Sequence, residues 1–223
     1  MTFGPSAAEN ITLDNIDELP KRCRRCVFWE LAPHAGEQAA EYGNLELEKE
    51  AWLSSVLLDW GSCGKILYLD RMAAGYAMYA PPAAVPRASA FPTGPVGHDA
   101  VLLTAVSVLP ELTGSGIGRA LVQAAARDLT RRGVRAIEAF GRVDDASQSL
   151  EPSCVIPAAF LTAVGFKTVR PHHRWPRLRL ELRSGLSWKE DVEAALERLL
   201  AEIAIPTQAS PVESPASAPL PSQ

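Results

Sequence analysis

The stretch "VLPELTGSGIGRALVQAA", residues 108–125, decides how the chain is read. An apolar run stops at Pro110, glycines follow at alternate positions (Gly114, Gly116 and Gly118), and a helix-forming sequence begins at once. Glycines at a helix start leave main-chain N–H groups uncovered, and the helix dipole adds partial positive charge there. Such a junction suits an anion, above all a phosphate. A tight turn with close strand–helix packing is the alternative, and one or two glycines would serve it. The common nucleotide fingerprints fail. A P-loop counted from Gly114 needs its second glycine where Arg119 stands, and no lysine follows. The dinucleotide pattern needs glycine at 119 or 121, which are Arg119 and Leu121.

Working outward, "AVLLTAVSVL" (100–109) is nearly all apolar, as in a strand covered on both faces. Residues 116–133 read as a helix with an apolar stripe of Ile117, Leu121, Ala124, Ala125 and Leu129, capped by Gly133. "VRAIEAFGR" (134–142) is the next strand, and 156–166 a short helix with Pro157 in its first turn. Residues 64–70 and 72–82 form a hairpin, and 166–171 and 175–183 a closing pair of strands. A helix spans 44–61, residues 10–15 and 25–31 read as extended, and the Pro/Gly-rich 81–97 reads as a surface loop. "SWKEDVEAALERLLAEI" (187–203) reads as a last amphipathic helix.

The chain has 223 residues, 47% of them hydrophobic, enough for one substantial core. The folded domain is placed at 8–204, and 205–223, rich in Pro, Ser and Ala, reads as a disordered tail. The net charge of −4 argues against a nucleic-acid partner. The basic clusters at 22–25, 127–135 and 172–179 read as solvated faces. No apolar run reaches the ~20 residues of a membrane helix, so no membrane partner is expected. With no visible leader and four cysteines, a cytoplasmic location is the simplest reading.

The pattern V-x-V-x-P-x-x-x-G-x-G-I-G-x-x-L over 106–121 resembles the coenzyme A-binding motif of the GNAT N-acetyltransferase superfamily. A late "FLTAVGF" (160–166) is similar to that family's second motif, and the resemblance covers about 64–182. It implies a GNAT-like α/β fold, a twisted mixed β-sheet flanked by helices and splayed at the central cofactor-binding strand. It also implies acetyl-CoA as co-substrate, with its pyrophosphate on Thr113, Gly114, Ser115, Gly116, Ile117, Gly118 and Arg119. The pantetheine arm would pair with the main chain at Val106, Ser107 and Val108. The expected activity is acyl transfer to an amine acceptor by direct attack in a ternary complex. A homodimer is the family-level expectation. Two positions depart from the family: Thr113 replaces the usual Arg or Gln, and Leu161 replaces the tyrosine many relatives use as general acid. A non-catalytic acyl-CoA-binding protein on the same fold is therefore the alternative.

The central strand contains no acid. Glu138, on the next strand, is the first candidate base, with an arginine ion pair as the alternative. Cys154, ahead of the short helix, is a candidate acid or simply a small buried residue. Asp99, Asp144, Asp145 and Glu151 would attract a cationic amine or else be solvated loop charges. "CRRCVFWE" (23–30) leaves packing, redox pairing or metal binding open for Cys23 and Cys26, but zinc would need two more ligands and none is expected. His172 and His173 read as turn residues, and Trp29, Trp52 and Trp60 as core.

Overall fold

The structure is a computed structural model, and it describes residues 8–143 and 154–182. The expectations for the helix 187–203, the tail 205–223 and the residues Asp144, Asp145 and Glu151 lie outside the described residues. So does the 204 domain boundary. The chain divides into Met1–Gly185 and Leu186–Gln223, and only the first contains described residues.

In chain order the elements are β1 (Ala8–Asn10), α1 (Lys21–Arg24), α2 (Pro33–Tyr42), α3 (Leu45–Asp59), β2 (Gly64–Leu69), β3 (Met72–Ala80) and β4 (Ala100–Val108). Then come α4 (Ile117–Arg131), β5 (Ala136–Arg142), β6 (Ile156–Pro157), α5 (Ala158–Ala163), β7 (Lys167–Arg170) and β8 (Arg177–Glu181). The sheet order is β1-β2-β3-β4-β5-β8-β7, with β6 added beside β5. The pairs β4–β5 and β5–β6 are parallel and the rest antiparallel. This is the mixed, helix-flanked sheet expected from the sequence. A parallel neighbour requires a crossover connection, and α4 provides it between β4 and β5.

The helix α4 buries Ile117, Leu121, Val122, Ala124, Ala125 and Leu129 against one sheet face, with Tyr79, Val101, Leu103 and Ile137 beneath. It ends at Gly133, whose φ of +75° lets Val134 N turn back to Leu129 O at 3.0 Å. The opposite face carries a second core of Ile11, Ile16, Leu19, Trp29, Leu53, Ile66, Tyr76 and Phe140. There α3 starts on Asn44, whose side chain accepts Glu46 N at 3.1 Å.

Several expectations need correction. The first strand is Ala8–Asn10, not 10–15, because Asn15 Oδ1 accepts Thr12 N at 2.8 Å and curls the chain into a turn. Residues 25–31 are not a strand. They are a turn after α1 that buries Val27 and Glu30 and drives Trp29 into the second core. The helix α2 has Ala39 as its one buried residue, so it shows no apolar stripe that the sequence could reveal. The stretch 81–97 is not purely surface. Val85 and Ala88 are buried, and Phe91 stacks on Phe140 with ring centres 4.3 Å apart.

A polar clasp fastens α4 to the sheet. Asp128 accepts Tyr79 Oη at 2.9 Å, pairs with Lys65 Nζ at 3.2 Å and lies 3.4 Å from Arg132 Nη1. Burial pushes the Asp128 carboxyl up, but hydrogen bonds from Tyr79 and Lys65, with the charges of Lys65 and Arg132, outweigh it and hold it below the usual range. A lowered folded pKa means stability present above the unfolded value and lost as pH falls through the folded one. Urea titrations should show wild type losing stability below about pH 4, with a flatter profile in Asp128→Asn. Asp128→Ala, which removes the carboxylate partner of the buried Lys65, should cost about 3 kcal/mol at neutral pH.

Candidate functional site

The strands β4 and β5 run together only from Ala100↔Ala136 to Leu102↔Glu138. Beyond Leu102 the β5-side edge of β4 has no partner strand among the described residues. The cause lies at Thr104. The β3–β4 register steps from Tyr79↔Leu103 to Met78↔Ala105, so Thr104 is an extra residue, and its Oγ1 donates to Met78 O at 3.1 Å. A bulge bends its strand and re-aims the residues beyond it. Val101 and Leu103 face the α4 core and Leu102 the other, whereas after the bulge Val106 and Val108 face α4 and Ala105 the other. Leu109 N donates to Ala74 O at 3.0 Å. By antiparallel alternation Ser107 then pairs its main chain with Tyr76, while the N–H and C=O groups of Val106 and Val108 point into the gap.

The glycine junction stands at the mouth of this gap. Gly114 and Gly116 have φ of +82° and +88°, and a Cβ at either would meet nothing within 4 Å. Both turn the chain in ways side chains resist, on an open surface. Ala120 N makes the first intrahelical bond, to Gly116 O at 3.0 Å, so the amides of Ile117, Gly118 and Arg119 are left over at the start of α4. The third glycine has another task. A Cβ on Gly118 would come 3.0 Å from the Phe160 ring. The junction thus combines two backbone glycines with one packing glycine. Ser115 turns its hydroxyl back to Leu112 O at 2.5 Å, and the Arg119 guanidinium donates to Ala163 O at 2.8 Å, tying α4 to α5. Thr113 is exposed beside them. In the second motif Phe160 covers Gly118, while Leu161 and Phe166 fill the core at 0% and 2% exposure.

Glu138 lies elsewhere. It pairs with Leu102, four positions before Val106, or about 13 Å along the strand. It is 3% exposed, 3.0 Å from both Arg177 Nη1 and Arg179 Nη1, and accepts Gly97 N at 3.2 Å. Arg179 also grips Asp99, at 2.8 Å, and Glu181, at 2.6 Å. The Arg179 hydrogen bonds lower the Asp99 carboxyl to about 2. The 172–179 cluster and Asp99 are therefore not simply solvated charges. They join β8 to β5 and to the end of the 81–97 segment.

Cys154 Sγ lies 2.7 Å from Cys26 Sγ, and Trp29 Nε1 donates to Cys154 O at 3.0 Å. Cys26 therefore meets Cys154 rather than Cys23. Among the described residues no three His, Cys, Asp or Glu side chains converge as a metal site would need. Nor is any described helix long and apolar enough to cross a membrane. His172 is a turn residue, its Nδ1 accepting Arg174 N and Trp175 N. Trp29 is core, whereas Trp52 and Trp60 are half-buried, Trp60 beneath Arg132 at 3.6 Å. Sequence reading missed a shallow crevice on the face opposite α4, lined by Leu19, Ile66, Tyr76, Ser107, Val108 and Leu109. Its walls are distant in sequence and carry no motif.

In denaturant titrations, Gly114→Ala and Gly116→Ala should each cost about 1 kcal/mol, from their positive φ alone. Gly118→Leu should cost about 2 kcal/mol by overpacking, and a Phe160→Ala background should recover most of that loss.

The family model described as "Acetyltransferase (GNAT) family" matches residues 22–150. Among curated proteins none matches the sequence significantly. Solved structures share the fold at low identity. The PaiA N-acetyltransferase from Thermoplasma acidophilum, solved in complex with coenzyme A, is 12% identical over 81% of this chain and 99% of its own, with a TM-score of 0.51. A structure described only as an acetyltransferase is 17% identical over 80% and 100%, with a TM-score of 0.53. The loading GNATL domain of CurA from Lyngbya majuscula is 13% identical over 80% and 98%, with a TM-score of 0.50. The family match spans more than half of the chain, and it agrees with the parted β4–β5 pair and the glycine junction: the chain belongs to the GNAT acetyltransferase family.

Proposed function

We propose that the protein transfers an acetyl group from acetyl-CoA to an amine acceptor, by direct attack in a ternary complex, as a cytoplasmic enzyme. The observation that carries the reading is the pair of positive-φ glycines opening α4 beside the unpaired edge of β4. The surface above Gly114 and Gly116 is clear, and the amides of Ile117, Gly118 and Arg119 offer donors for a pyrophosphate. The turned-out main chain of Val106 and Val108 would pair with an extended amide-bearing arm. Acetyl-CoA would supply the thioester whose carbonyl carbon the amine attacks.

In this reading the chain works mainly by placement. An N–H of the open β4 edge is the donor for the developing oxyanion. The acceptor would approach β4 from the side of Tyr76 and Ser107, where Glu18 would draw in a cationic amine. Glu138 is given no proton role, because Gly97 and two arginines occupy its carboxylate away from the gap. Cys154 is given none either, because its thiol is engaged by Cys26. Proton transfer is left to water along the cleft.

One observation favours the second reading, an acyl-CoA-binding protein without turnover. Leu161, at the position of the usual tyrosine, is wholly buried among core side chains. The two readings share the cofactor and part at the chemistry.

Acetyl-CoA at a hundred times Kd should stabilise the fold by about 2.7 kcal/mol, or roughly 5–10 °C in Tm, and Gly116→Glu should abolish the shift. No shift in folded wild type would sink both readings. A shift without CoA release on any of a panel of amines would leave only the second.

A further inference from the structure

We infer that Cys26 and Cys154 form a peroxide-sensitive dithiol that closes to a disulfide, cross-linking the turn after α1 to the bend just before β6. The two thiols are 128 positions apart in sequence, yet their sulfurs are 2.7 Å from each other. A disulfide needs about 2.05 Å, so closure takes a small side-chain motion. The backbones on both sides are already held. Trp29 Nε1 donates to Cys154 O at 3.0 Å, and Lys49 Nζ donates to Cys26 O at 3.1 Å. Lys49 is itself fixed by an ion pair with the buried Glu30. Both cysteines are half-buried, within reach of a small oxidant.

The surroundings give the thiols different parts. The Cys154 hydrogen bond, the Phe28 amide and the Lys49 charge, against burial and Glu30, lower Cys26 to about 7. Cys154 is pushed up, first by Cys26 and then by burial, so it keeps its proton and donates. Cys26 thiolate is the nucleophile and Cys154 the resolving thiol. Cys26 thiolate attacks one oxygen of hydrogen peroxide, giving Cys26 sulfenic acid and hydroxide. The Cys154 sulfur then displaces the sulfenic oxygen, which leaves as water with the Cys154 proton, and the S–S bond forms. The pair gives up two electrons, and the peroxide is reduced. The remaining thiols take no part in this chemistry. Cys63 is fully buried and pushed up to about 12; Cys23 borders the pair, but its thiol is engaged by Tyr76 rather than by either sulfur.

The test is peptide mapping of the full chain after mild hydrogen peroxide, with and without dithiothreitol. Trypsin cuts at Arg24 and Arg25, which puts Cys23 and Cys26 on different peptides. The expected result is one reducible cross-link, Cys26 to Cys154, with Cys23 and Cys63 still alkylatable. In Cys154→Ser, oxidation should stop at a Cys26 sulfenic acid that dimedone captures. A Cys23 cross-link, an intermolecular cross-link or four unreacted thiols would overturn the inference. The wild-type map decides the matter even if Cys154→Ser does not fold.

Discussion

Parallel pairing of β4 with β5 holds for only a few residues and then stops. The distinctive features of the molecule stem from that interruption. Thr104 adds one residue to β4 against β3, and the strand bends away from β5 while keeping its antiparallel partner. The same extra residue reverses which side chains face α4. Val106 and Val108 therefore pack toward α4 while their amides and carbonyls turn into the gap. Without the bulge these positions would present the wrong groups to the cleft.

A strand that parts from its neighbour must be held firmly where it still pairs. The holding groups stand at the closed end. Glu138 lies in the last paired position of β5 and gathers Arg177 and Arg179 from β8. Asp99, just ahead of β4, shares Arg179. On the α4 face, Asp128 binds the crossover helix to β2 and β3 through Lys65 and Tyr79. Charge is concentrated where the sheet must stay shut and is sparse along the turned-out edge of β4. The division places Glu138 and Asp99, both picked out from the sequence, in ion pairs at the closed end of the sheet.

The parts of the fold that were legible in the sequence are those with strong local periodicity. The apolar run 100–109, the stripe from Ile117 to Leu129 and the hairpin at 64–82 each declare their element within a few residues. The glycine junction was legible as a backbone site because φ is a local property. That Gly118 serves packing was not, because the ring it makes room for belongs to α5, some forty residues on. The short α2, with almost no buried face, had no period to read. The 81–97 segment carried composition typical of a loop, and only the tertiary fold brings Phe91 onto Phe140 and Trp29. Arg177, Arg179 and the Cys26–Cys154 contact escaped for the same reason: their partners are set by topology.

Among the described residues the outer strands of the sheet are brief. β1 has three residues and β7 four, and β7 carries Lys167 and Arg170. Short, charged borders discourage another chain from adding a strand. The stretch of β4 that pairs only with β3 among the described residues lies instead in the middle of the sheet, flanked on both sides by the protein's own strands. A foreign polypeptide strand would have to thread into a slot, whereas a slender chain with few side groups could slide along it. In the proposed reading, that slot offers its backbone groups to a narrow ligand and little room to a second polypeptide.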